Sequence, residues 1–100
     1  MQFKEKTMED SRAVVVCTKY RGVFFGYLSG PEGAVVTLTN VRMCVYWDTS
    51  VRGVLGLASH GPSEKCRITR PVDSISLRGV TAIMDTTDIA VKAWESSPWK

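Results

Sequence analysis

Between Ala34 and Tyr46 the chain reads Ala-Val-Val-Thr-Leu-Thr-Asn-Val-Arg-Met-Cys-Val-Tyr, and this stretch limits the fold more than any other. Valine and threonine crowd the preceding turn of a helix but pack well on a pleated surface, so the run reads as a strand. Val36 and Leu38 share one face with Asn40, while Val35, Thr37, Thr39 and Val41 share the other. Asn40 disturbs that alternation, which predicts either two strands joined by a bulge or one strongly bent strand.

Shorter β-rich runs flank it. Ala13 to Thr18 and Val23 to Leu28 precede it, with a bend or bulge at Tyr20-Arg21-Gly22 and a second irregularity at Gly26. Ser29-Gly30-Pro31-Glu32-Gly33 is the clearest turn, because proline fixes φ and glycine is free to take φ > 0. Lys65 to Thr69, Ser74 to Leu77 and Val80 to Met84 follow, and Ile75 and Leu77 share a side.

Two segments carry helical signals. Thr49 to Pro62 reads as one short helix, about residues 50–60, capped by Thr49 or Ser50 and stopped by Gly61-Pro62. Its expected buried face is Val51, Val54, Leu55 and Ala58. Gly53 and Gly56 weaken it by about 1 kcal/mol each but permit close approach of another backbone. A C-terminal helix, about residues 87–96, begins at a cap from Thr86 or Thr87, with Ile89, Ala90, Ala93 and Trp94 as its apolar stripe.

The predicted fold is α+β and mainly β. It is a small SH3-like or Sm-like partly closed barrel, or a twisted antiparallel sheet, with one inserted helix and one terminal helix. Residues 1–12 are expected to be a flexible tail and residues 13–100 one domain. At 100 residues such a domain buries about 60–70% of its unfolded surface. Self-association is a route to further burial, and Trp94 and Trp99 are the candidate interface anchors, although Trp94 also fits the core.

Composition narrows the function classes. The net charge of +3, from 13 basic and 10 acidic residues, is too mild for a dedicated DNA-binding face but sufficient for one small anion. Cys17, Cys44 and Cys66 form no CxxC pair, and His60 is the single histidine, so no metal set and no cofactor are expected. Three reduced, buried thiols fit a cytosolic protein. No apolar run approaches the ~20 residues needed to span a bilayer, so no membrane partner is expected. Catalysis is not expected either. His60 has no nucleophile motif around it, and Asp48, Asp85 and Asp88 sit where helix starts account for acidic residues.

The densest coincidence of binding chemistry is Tyr46-Trp47-Asp48-Thr49-Ser50-Val51-Arg52. Two rings, two hydroxyls, the free amides of a helix start and a guanidinium are the parts that hold a planar anion. The candidate ligand residues are Tyr46, Trp47, Thr49, Ser50, Arg52, His60, Ser63 and Arg67, the last two from a strand that folds back beside the helix. Simple capping by Thr49 and Ser50, with both rings in the core, is the plain alternative.

Arg21-Gly22-Val23-Phe24-Phe25-Gly26-Tyr27-Leu28, then Cys44-Val45-Tyr46-Trp47 through Arg52-Gly53-Val54-Leu55-Gly56-Leu57-Ala58 to Gly61-Pro62, and finally Trp94-Glu95 to Pro98-Trp99, resemble small bacteriophage- and prophage-encoded proteins grouped as a family of unknown function. The resemblance implies phage origin and placement in the host cytoplasm. By analogy with phage antagonists of host defence, it also implies a homo-oligomer that sequesters a signalling nucleotide. The alternatives are a module that inhibits a host defence protein by direct binding and a barrel that binds single-stranded RNA.

Overall fold

A computed structural model describes residues 11–19, 22–30 and 32–97. Six antiparallel strands form one sheet: β1 (Ser11–Thr18), β2 (Val23–Ser29), β3 (Val35–Tyr46), β4 (Arg67–Ile68), β5 (Val72–Arg78) and β6 (Val80–Asp85). Two helices accompany them, α1 (Gly53–Ser59) and α2 (Asp88–Glu95), with a 3-10 turn at Thr49–Val51 ahead of α1. The mainly β class holds. β1 starts at Ser11 rather than Ala13, and Arg12 pairs with Leu28 within the sheet.

The strand order is β4-β3-β2-β1-β6, with β5 also on β3. No ladder among the described residues closes this sheet into a barrel. Gly79, at φ 71°, instead carries the chain from the edge of β3, where β5 pairs, to the edge of β1, where β6 pairs.

β3 is a single bent strand. Asn40 adopts φ 51°, and the register against β2 slips between Phe25 and Tyr27, beside Gly26. The bulge inverts the alternation beyond it. Val41 therefore joins Val36 and Leu38 on one side instead of Val35, Thr37 and Thr39. Beyond the bulge, Cys44 faces the opposite side, among the helices.

Two apolar clusters lie on the two sides of β1. Val14, Val16, Leu28, Val36, Leu38, Val41 and Leu77 come from strands alone, so the sheet curls over its own concave side. On the other side Val15, Val23, Phe25 and Cys44 meet Val51, Leu57 and Ala58, together with Ala90 and Trp94 of α2. Trp94 is fully buried, stacks on Phe25 with centroids 5.1 Å apart, and donates its indole N–H to the Leu57 carbonyl at 3.0 Å. It anchors the chain's own core and is not available as an interface residue. Trp99 lies outside the described residues.

Thr87 caps α2: its hydroxyl accepts from the Ala90 amide at 3.1 Å and donates to the Ser59 carbonyl at 2.7 Å, tying the two helices together. Arg42 closes the far end of α2. Its guanidinium is buried, with Nε donating to the Ser97 carbonyl and Nη2 to that of Glu95, while Nη1 has no partner. Ile89, expected on the apolar stripe, is 69% exposed. The buried side of α2 is centred on Ala90 and Trp94, and one residue along a helix turns the side chain about 100° away.

Candidate functional site

The corner where β3 gives way to the 3-10 turn is built by a bulge and a backbone reversal. Cys44 pairs with Ile68 and Tyr46 with Arg67, and the register shifts between them at Val45. This pairing sets Arg67 opposite Tyr46 across the ladder, and both residues are exposed. Trp47 turns the other way and is half-buried against the helix-side core.

Asp48, not Thr49 or Ser50, caps the turn. Its carboxylate accepts from the Ser50 amide at 3.4 Å, the Ser50 hydroxyl at 3.0 Å and the Ser63 hydroxyl at 2.9 Å. These bonds, with that of Ser63 first, hold the Asp48 carboxyl below the usual carboxylate range. Ser63 Oγ in turn accepts from the Lys65 amide at 3.2 Å. The Val51 amide donates to the Asp48 carbonyl, and the Arg52 amide to that of Thr49.

The helix start was expected to offer unpaired amides and two hydroxyls to an anion. The chain fills that position with its own carboxylate. The Asp48 carboxylate takes the Ser50 amide that a phosphate would use, and it is always present.

The expected single helix over 50–60 is broken. Arg52 and Gly53 both take left-handed conformations, φ 65° and 76°, so the 3-10 turn ends and α1 starts afresh at Gly53. Restarting the helix changes its phase. Leu57 is fully buried, whereas Leu55, expected inside, is 73% exposed. Gly56 sits on the Val51 carbonyl so closely that a Cβ there would lie 1.4 Å from the oxygen, the close approach its lack of a side chain allows.

Of the expected ligand residues, Tyr46 and Arg67 are brought together, and Ser50 and Ser63 meet on Asp48. Thr49 and Arg52 are exposed on the turn. His60 is the exposed C-cap of α1, its amide donating to the Gly56 carbonyl at 2.7 Å. Asp48 is the member of the site that sequence reading assigned only to capping; its spacing ahead of a Ser-rich turn was the available signal. A groove of about 270 Å³ lies elsewhere, between β6 and the Glu32-Gly33 turn with Val36 at its floor, and none of the expected ligand residues lines it. Among the described residues no three His, Cys, Asp or Glu side chains cluster to hold a metal.

A family model described as a domain of unknown function, DUF6948, matches residues 11–94. The chain belongs to the DUF6948 family. The match runs from the first residue of β1 to Trp94 and so takes in both apolar clusters and the corner. No curated protein and no solved structure matches the chain. Among the described residues no helix is long and apolar enough to cross a membrane.

Proposed function

We propose that this chain is a non-catalytic binding protein that holds a planar, anionic, nucleotide-type ligand at the β3 corner. The observation that carries the reading is the cross-strand pairing of Tyr46 with Arg67, an exposed aromatic residue opposite an exposed basic one. The ring stacks on a base, and Arg67, with Arg52 on the adjoining turn, neutralises phosphate. Ser50 and Ser63 belong to the Asp48 cap in this reading and do not contact ligand.

Magnitudes add a condition. Stacking supplies about 1–3 kcal/mol per base, while micromolar affinity requires about 8 kcal/mol. One exposed ring and its cations fall short, so tight binding requires a second copy of the chain to cover the ligand, a homo-oligomer around a shared site. In a phage-encoded setting the role is sequestration of a host immune signalling nucleotide in the host cytoplasm.

Isothermal calorimetry against cyclic dinucleotides and ADP-ribose derivatives tests this. We expect heat from at least one, lost in Tyr46→Ala and increased in Asp48→Asn, which removes a like charge while keeping the shape. No heat from any of them with folded protein removes the reading. Heat from single-stranded RNA alone, falling steeply with salt, would replace it with the RNA-binding one.

A second reading, inhibition of a host defence protein by direct contact, is favoured by the exposed apolar side chains of Val45 (59%), Leu55 (73%) and Ile89 (69%). A stoichiometric protein partner, lost in Leu55→Glu and retained in Tyr46→Ala, would select it.

A further inference from the structure

Cys44 and Cys66 are buried free thiols, 3% and 8% exposed. Cys44 faces Ile68 across the β3–β4 ladder, so Cys66 is its diagonal neighbour on the same side. Both thiols lie inside the same apolar cluster, close enough for the Cys66 sulfur to raise the Cys44 thiol. Cys17 is half-buried on β1 and lies outside this pairing.

The chain between the two sulfurs, residues 45–65, contains Tyr46, Trp47, Asp48, the 3-10 turn and α1. One further contact links the pair to the corner. Ser63 Oγ lies 3.6 Å from Cys66 Sγ and gives its proton to Asp48, so Cys66 is the donor between sulfur and hydroxyl. The thiol state of Cys66 thus bears on the residue that orders the Asp48 cap.

We propose that Cys44 and Cys66 are a redox pair that closes to a disulfide under a hydroperoxide and thereby fastens the corner. The Cys66 sulfur, the more exposed of the two, attacks the peroxide oxygen; the O–O bond breaks, one water leaves and Cys66 becomes a sulfenic acid. The Cys44 sulfur then attacks the Cys66 sulfur, the S–O bond breaks and a second water leaves. Two thiols lose two protons and two electrons, and one hydrogen peroxide becomes two waters.

Burial, reinforced by the neighbouring Cys66 sulfur, pushes the Cys44 thiol up to about 12, so Cys44 stays protonated and leaves the first attack on peroxide to Cys66. Diagonal neighbours stand about 7–8 Å apart at Cα, against about 4.4–6.8 Å in most disulfides, so closure draws the 63–66 turn about 1 Å toward β3. The register shift at Val45 is where the ladder already departs from regular pairing. Closure pulls Cys66 off Ser63. This inference stands without the ligand reading.

The test treats the folded wild-type chain with hydrogen peroxide, alkylates remaining thiols, digests it and maps peptides by mass spectrometry. The expected product is a monomer with a Cys44–Cys66 link, reversed by dithiothreitol, with Cys17 alkylated; Cys17→Ser gives the same link. Alkylation of both Cys44 and Cys66, their conversion to sulfinic acids, or a link through Cys17 overturns the proposal. Hydrogen exchange of the oxidised chain gives a second readout: amides over 47–63 should slow about tenfold, and unchanged exchange there overturns the fastening.

Discussion

A methyl group added at Gly56 would lie 1.4 Å from the Val51 carbonyl oxygen and 2.7 Å from its carbon. Backbone cannot yield as a side-chain tip can, so the 3-10 turn and α1 would have to part. Gly56→Ala should cost on the order of 3 kcal/mol, read as a lowered urea midpoint, although alanine is the better helix former. The sequence marked Gly56 as a place of close approach without saying to what. Asp48 gives a second residue-scale prediction. Its carboxyl is held below the ordinary value of 3.8 in the folded state, so its contribution is present above that value and fades as pH falls through the lower folded one. Asp48→Asn should therefore lower the urea midpoint at neutral pH, and the gap from wild type should close on acidification below about pH 4. A gap that stays constant down to about pH 2 would remove Asp48 from its role as a charged acceptor. Composition could not rank Asp48 above Thr49 and Ser50 as the cap, since all three are good N-cap residues.

At the scale of elements, strands were legible and helix phase was not. β2, β3 and β6 lie within a residue or two of where β-branched and aromatic runs placed them, and Gly26 and Asn40 marked the irregularities. Thr87, which caps α2, was one of the two threonines readable as its cap. The segment before α1 failed because the left-handed pair Arg52-Gly53 resets the helix, and a periodicity counted from Ser50 cannot cross that break. The consequence is measurable. Leu57→Ala should destabilise by about 2–5 kcal/mol, while Leu55→Ala should stay within about 0.5 kcal/mol, as judged by denaturant titration. Equal effects would mean that α1 presents a different side to the sheet. Ile89 fell on the wrong side of its stripe for a related reason: one short helix on a sheet buries only a narrow arc, here Ala90 and Trp94.

For the whole molecule, the alternation of short β runs and turns conveyed a mainly β domain, and pairing across distance had to come from the structure. No local signal tells that Gly79 moves the chain from β3 to β1, or that Arg67 returns to Tyr46 rather than to another strand. That return is also what alters the candidate site. The rings and hydroxyls read from one contiguous segment separate into a solvent-facing pair, Tyr46 with Arg67, and a self-satisfied cap around Asp48. The proposed binding then depends on tertiary pairing, and on a second copy to enclose what one corner leaves open. The most direct measurement is an amide chemical-shift map of the ¹⁵N-labelled chain titrated with the cyclic dinucleotides and ADP-ribose derivatives. The account predicts saturable shifts concentrated at residues 45–52 and 63–68, absent in Tyr46→Ala; shifts confined to the groove beside β6, or none with any of these nucleotides, would contradict it.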